Sequence, residues 1–251
     1  MRNPSQIVIP NADATSVAGP ERAELEPTAT VTEANGASSS LPRLDLRVVL
    51  FTVLDDEVLV ALREEEGTLR LARGLPRPAE TLDAAARRIV RAATNLREQY
   101  LEQLYTLSVP DAPDWTVIVS YLGLLRSDPV AATPPIDGWY AVTSLPALTP
   151  ADRMVIDYAL VRLRAKLGYT NVAFHLLPRE FSLSELQRAY EAILGRRLDK
   201  RNFRRRVTAA GILTLTGGMR REGSHRPAAL YRFRPGDDRE AYLTPPWAAE
   251  A

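Results

Sequence analysis

The sequence predicts an α+β fold: a mixed α/β domain followed by a small helix-turn-helix domain with a wing. Three observations carry this. Apolar residues run in strand patterns from Leu44 onward, one amphipathic helix follows Glu80, and a basic helix follows Asp199 after a capped apolar helix.

At 251 residues the chain is long enough for one large or two ordinary domains. Residues 1–42 hold two Arg and five Asp/Glu and no aromatic residue; the first aromatic is Phe51. A segment so poor in large apolar side chains cannot offset its ordering entropy, so it is expected to be a disordered tail. Leu46, Val48, Leu50, Thr52 and Leu54 alternate with Arg47, Val49, Phe51 and Val53, as in a strand buried on both faces. Asp55-Asp56 marks a turn, Val58–Leu62 a second strand of the hairpin, Arg63–Gly67 a charged turn, and Leu69–Leu71 a short strand leading to Gly74. After Glu80, Thr81 caps a helix whose Leu82, Ala85, Ala86, Ile89, Val90 and Ala93 form one apolar stripe. Asn95, the non-Gly residue most tolerant of the left-handed turn, ends it. Leu101–Leu107, Trp115–Leu125 and Gly138–Val142 read as further strands, with a Pro-rich loop at 128–136.

Thr149-Pro150-Ala151-Asp152 is a helix start, and the helix stops at Gly168. Met154, Val155, Tyr158, Val161 and Leu167 are its apolar residues, and it is expected to connect two domains. Ser182 and Glu185 make a capping box for the next helix, with Leu183, Leu186, Tyr190, Ile193 and Leu194 on its buried face. Gly195 closes it and Asp199 caps KRNFRRRVTAAG.

Helical phase puts Phe203, Val207 and Ala210 on the back of that last helix, with Arg201, Arg204, Arg205 and Thr208 opposite. Strands at 212–216 and 229–233 flank the loop GGMRREGSHRP. This is a winged helix-turn-helix. The expected DNA contacts are Lys200, Arg201, Asn202, Arg204, Arg205 and Thr208 from the helix, with Arg220, Arg221, His225 and Arg226 from the wing. Residues 196–234 carry twelve Lys/Arg and two Asp/Glu, so the cationic surface is local although the net charge is only +1.

The absence of Cys excludes disulfides and Cys-based zinc sites, and the two histidines, His175 and His225, have no catalytic zinc spacing. His175 lies in an apolar run as a packed histidine. No apolar run reaches the roughly 18 residues of a membrane span, and no signal peptide is evident, so a soluble, cytoplasmic protein without a membrane partner is expected.

Gly74–Leu96, GLPRPAETLDAAARRIVRAATNL, resembles the Nudix box, a phosphate-hydrolase motif written G, five residues, E, seven residues, R-E-U-x-E-E-x-G-U with U apolar. Gly74, Glu80, Arg88, Val90 and Leu96 fall on its landmarks. Ile89, Ala92 and Ala93 stand where three carboxylates belong. Mg²⁺ needs oxygen ligands, which Ile and Ala lack. Glu80 alone is a weak metal site and can instead pair with Arg88; Glu98 and Glu102 are the other carboxylates that could substitute. The expectation is a ligand-binding domain that is not an enzyme, with no catalytic residue, no metal and no cofactor.

The degenerate box, YLEQLYTL from Tyr100, RLRAKLGYTNVAFHLLPREFSLSELQRAYEAILGRRLDKRNFRRRV from Arg162 and RPAALYRFRP from Arg226 together resemble the NrtR family of Nudix-related transcriptional regulators, over roughly residues 43–235. The resemblance implies a Nudix-like α/β/α sandwich at 43–145, a connector helix at 146–168, a winged helix domain at 169–236 and a C-terminal tail at 237–251. It implies a homodimeric, ligand-responsive repressor that binds a palindromic operator in double-stranded DNA and controls NAD-metabolism genes. The small-molecule effector would be ADP-ribose or a related NAD metabolite, met by Arg73, Arg77 and Glu80. A related branch senses arabinose-like sugars, and residual hydrolysis of ADP-ribose-like nucleotides is the enzymatic alternative.

Overall fold

The structure, a computed structural model, describes residues 42–96, 100–109, 115–128, 138–168, 170–221 and 227–234. The expected terminal tails, apart from residue 42, lie outside the described residues, as do nearly all of the Pro-rich loop, Glu98, His225 and Arg226. The described residues belong to one compact unit.

Its frame is a six-stranded mixed sheet. β1 (Arg43–Leu54) pairs in parallel with β7 (Thr116–Leu124) and antiparallel with β2 (Glu57–Ala61) and β5 (Ala72–Gly74). β6 (Tyr100–Val109) extends one edge beside β7, and β8 (Trp139–Ala141) the other beside β2. Because side chains alternate across a strand, β1 serves two cores. Leu46, Val48 and Leu50 pack with helix α1 (Leu82–Thr94). Val49 and Phe51 face the opposite layer, with helix α2 (Pro150–Leu167) and helix α3 (Leu183–Leu194). The result is the expected α/β/α sandwich.

Local signals hold where they rest on capping chemistry. Thr81, Thr149, Ser182 and Asp199 each accept a hydrogen bond from a first-turn amide. Asn95 takes the left-handed conformation, φ 54°, that ends α1.

Three expectations change, and docking settles which apolar face of α2 is buried. Arg63–Gly67 is not one turn: Arg63–Glu65 is strand β3, paired with β4 (Thr68–Arg70), and only Glu66-Gly67 turns, with φ 52° and 75°. Positive φ at both positions is what a type I′ two-residue hairpin turn requires, and charged side chains can stay solvated while their backbone pairs. On α2 the buried residues are Asp152, Val155, Ile156, Ala159, Leu163 and Leu167, whereas Met154, Tyr158 and Val161 are exposed. Tertiary docking selects one of two apolar stripes. Helix α4 (Lys200–Ala209) buries Phe203 and Val207, but Ala210 is its exposed C-cap. The wing strand β10 runs from Leu213 through the glycine pair to Arg220, with an irregular register between Leu215 and Met219.

β11 (Ala228–Phe233) pairs with β10 and also with β9 (Phe181–Ser182), a third strand too short for periodicity to reveal. A 3-10 turn at Val172–His175 joins α2 to this part. His175 is half-buried against Tyr100, ring centroids 5.2 Å apart, and burial, aided by Arg126 and Lys166, lowers its pKa.

Candidate functional site

Two arrangements with chemical potential stand out, one on α4 and one on the sheet. On α4 the apolar back is fixed by Phe203 and Val207, with the Tyr190 ring edge-on to Phe203 at 5.4 Å between centroids. That docking leaves Lys200, Arg201, Arg205 and Thr208 exposed on the other side. The Asn202 side-chain oxygen accepts from Arg205 Nη2 at 2.9 Å and Arg206 Nε at 3.3 Å, so Asn202 organises its neighbours.

The remaining arginines are differently engaged. Arg204 is half-buried and its Nη2 donates to Ser184 Oγ at 2.9 Å, which turns it back on α3. Arg220 ion-pairs with Glu185 at 2.6 Å and donates to the Glu180 carbonyl at 3.1 Å, holding the wing to the α3 capping box. Arg221 is exposed at the end of β10. The face presents cationic forks and an amide, the donors that suit phosphates and guanine edges.

The second arrangement is a cavity of about 330 Å³ at the start of β1. Arg43, Asp45 and Arg47 project from β1 on the α2 side, the same side as Val49 and Phe51. Register brings Arg73 of β5 opposite Arg47, and Ile118 of β7 opposite Asp45. Arg70 of β4, Val109 of β6, Thr116 of β7 and residues 149–151, at the start of α2, complete the lining. Arg47 Nε donates to Asp45 at 3.0 Å and its Nη1 to Asp152 at 2.8 Å. Arg70 Nε donates to Asp152 at 2.8 Å, and Arg73 Nε to Glu65 at 2.9 Å. Four arginines around one concavity can hold an anion through charge-assisted hydrogen bonds.

Of the three residues expected at a ligand, only Arg73 lines this cavity. Arg77 is exposed. Arg88 grips both oxygens of Glu80, Nε to Oε1 at 2.8 Å and Nη2 to Oε2 at 2.7 Å. With the Arg77 backbone N–H also donating at 2.9 Å, this pair lowers the Glu80 pKa to about 2. Ile89 and Ala93 pack in the core under α1, and Ala92 is exposed. Arg43, Arg47 and Arg70 escaped the sequence reading. For Arg43 and Arg47 the signal is the charged triplet at alternate positions 43, 45 and 47 of a mostly apolar strand; Arg70, on β4, has no such signal.

The family described as the NrtR DNA-binding winged helix domain matches residues 173–233. A curated relative, the ADPR responsive transcriptional repressor NtrR of Acinetobacter baylyi, is 32% identical over 161 residues, 61% of this chain and 64% of the relative. The match therefore spans just under two thirds of that relative's length. The crystal structure of Shewanella oneidensis NrtR complexed with a 27mer DNA is 31% identical, with a TM-score of 0.68, covering 76% of this chain and 94% of that one. A MutT/nudix family protein from Enterococcus faecalis shares the fold at 20% identity and a TM-score of 0.63, covering 78% of this chain and 89% of that one. With a Nudix-like sandwich leading into a winged helix, and this identity across nearly all of a solved member, the chain belongs to the NrtR family.

Proposed function

We propose that this chain is a DNA-binding transcriptional repressor whose Nudix-like part senses ADP-ribose or a related NAD metabolite without cleaving it. The carrying observation is the exposed cationic face of α4, set on an apolar back, in the same compact unit as an arginine-lined cavity. Lys200, Arg201, Asn202, Arg205 and Thr208 read double-stranded DNA from α4, with Arg221 at a flanking phosphate. The cavity takes the diphosphate of the effector. Residues 43–145 form the sensing domain, 146–168 the connector and 169–236 the reader, working in the cytoplasm as a homodimer on a palindromic operator.

That the Acinetobacter baylyi relative is an ADPR responsive repressor supports the effector, and the DNA complex of the Shewanella oneidensis protein supports the partner. The carboxylate positions of the box hold Ile89, Ala92 and Ala93, and Arg88 occupies Glu80, which supports binding without Mg²⁺-dependent hydrolysis. Gel retardation of DNA from the protein's own promoter region, with and without ADP-ribose, tests both halves. A shift relieved by ADP-ribose is expected. Failure to retard any candidate operator at moderate salt would end the DNA reading, and retardation indifferent to ADP-ribose would end the effector reading.

A further inference from the structure

Behind the arginine cavity stands a carboxylate that neither ligand nor DNA contact accounts for. Asp152 is wholly buried in the first turn of α2. Its two oxygens are divided between Arg47 Nη1 and Arg70 Nε, each at 2.8 Å, and Oδ2 also accepts the Thr149 hydroxyl at 2.9 Å. A carboxylate this far from water persists only when paired. The pairing leaves Arg47 Nη2 and both terminal nitrogens of Arg70 without a hydrogen bond among the described residues, although both side chains line the cavity and Arg47 is only 6% exposed. Asp152 therefore backs the two forks and sets their direction.

At its other end α2 touches the reader. Arg164 Nε donates to the Ile193 carbonyl in the last turn of α3 at 2.8 Å, and Leu163 and Leu167 share a core with Tyr190 and Phe203. We propose that Asp152 is the positioning residue that couples anion binding to the DNA-reading helices: the forks that grasp a diphosphate are aimed only while the first turn of α2 is docked, and a bound diphosphate holds that turn in place. This rests on the effector-cavity reading above. By reciprocity, a ligand that needs the docked turn must stabilise it.

The full chain is titrated calorimetrically with ADP-ribose and with inorganic pyrophosphate. Amide exchange is followed at Asp152 and Arg153, whose N–H groups donate to the Thr149 hydroxyl and carbonyl. Ligand is expected to slow exchange at these two amides at least about tenfold, and Asp152→Asn to bind at least about tenfold more weakly without slowing them. DNA binding by the variant should no longer respond to ADP-ribose. Undiminished affinity in the folded variant, a retained DNA response, or wild-type exchange that bound ligand leaves unchanged overturns the proposal. If Asp152→Asn does not fold, the wild-type exchange result decides alone. Pyrophosphate protecting the turn where ADP-ribose does not bind removes ADP-ribose as effector and keeps the coupling; binding of neither removes the coupling as well.

Discussion

Arg204 and Arg205 are sequence neighbours on α4 with different partners, and their removal should have different consequences. Arg205 is exposed, steadied by Asn202, and free to meet a base edge or phosphate. Arg205→Ala is expected to weaken specific DNA binding by about 1–3 kcal/mol with little change in melting temperature. Arg204 is held to Ser184 on α3. Arg204→Ala is expected to cost about 1–2 kcal/mol of folding stability in urea titrations, because a hydrogen bond from a charged group is lost. The sequence sorts both onto one face by helical phase. Phase places a Cα but does not say that a nearby serine will capture one guanidinium. Glu80 is more legible, since a helix fixes the approach of Arg88. Its pKa lies near 2, below the ordinary carboxylate value of 4.5, chiefly through the Arg88 hydrogen bond. The pair's contribution is therefore fully present above about pH 4.5 and fades as pH falls towards 2. Glu80→Gln should lower the melting temperature at neutral pH and flatten its decline across that acid window. An unchanged acid limb would remove the pair from the stability account.

Connector helix α2 shows what elements reveal and hide. Its cap and stop are written locally, in Thr149, Pro150 and Gly168, and fold as read. Its buried stripe is not, because Val155 and Val161 are equally apolar and only docking against the sheet chooses between them. Val155 is fully buried and Val161 is 60% exposed. Val155→Ala is expected to cost about 2 kcal/mol through lost contact and a residual void, and Val161→Ala less than about 0.5 kcal/mol. Equal costs in chemical denaturation would mean that both stripes are covered. The arginine cavity was hidden for a similar reason. Five strands and a helix end converge on it, and only charge at alternate positions of β1 marks it in the chain.

Across the whole molecule, the apolar side chains that read as two domains in sequence run together. Phe51 and Leu124 of the sheet, Leu163 of the connector, and Tyr190 and Phe203 of the reader belong to one buried cluster. Burial raises the Tyr190 pKa, and an ion pair between Arg188 and Asp56 at 3.0 Å bridges α3 to the β1–β2 turn. Two domains tied only by a linker would melt separately, whereas a shared core ties their stabilities together. Phe203→Ala tests this, since it removes a ring 2% exposed in the reader, far in sequence from Trp115 and Trp139 beside and within the sheet. Its expected cost of about 3–5 kcal/mol should move the fluorescence transition of Trp115 and Trp139, read in a Trp247→Phe background, together with the helical circular dichroism. Loss of helix signal at lower denaturant with the fluorescence midpoint unmoved would mean that the reader unfolds alone, and a ligand in the sheet could then influence DNA only through α2 and its carboxylate.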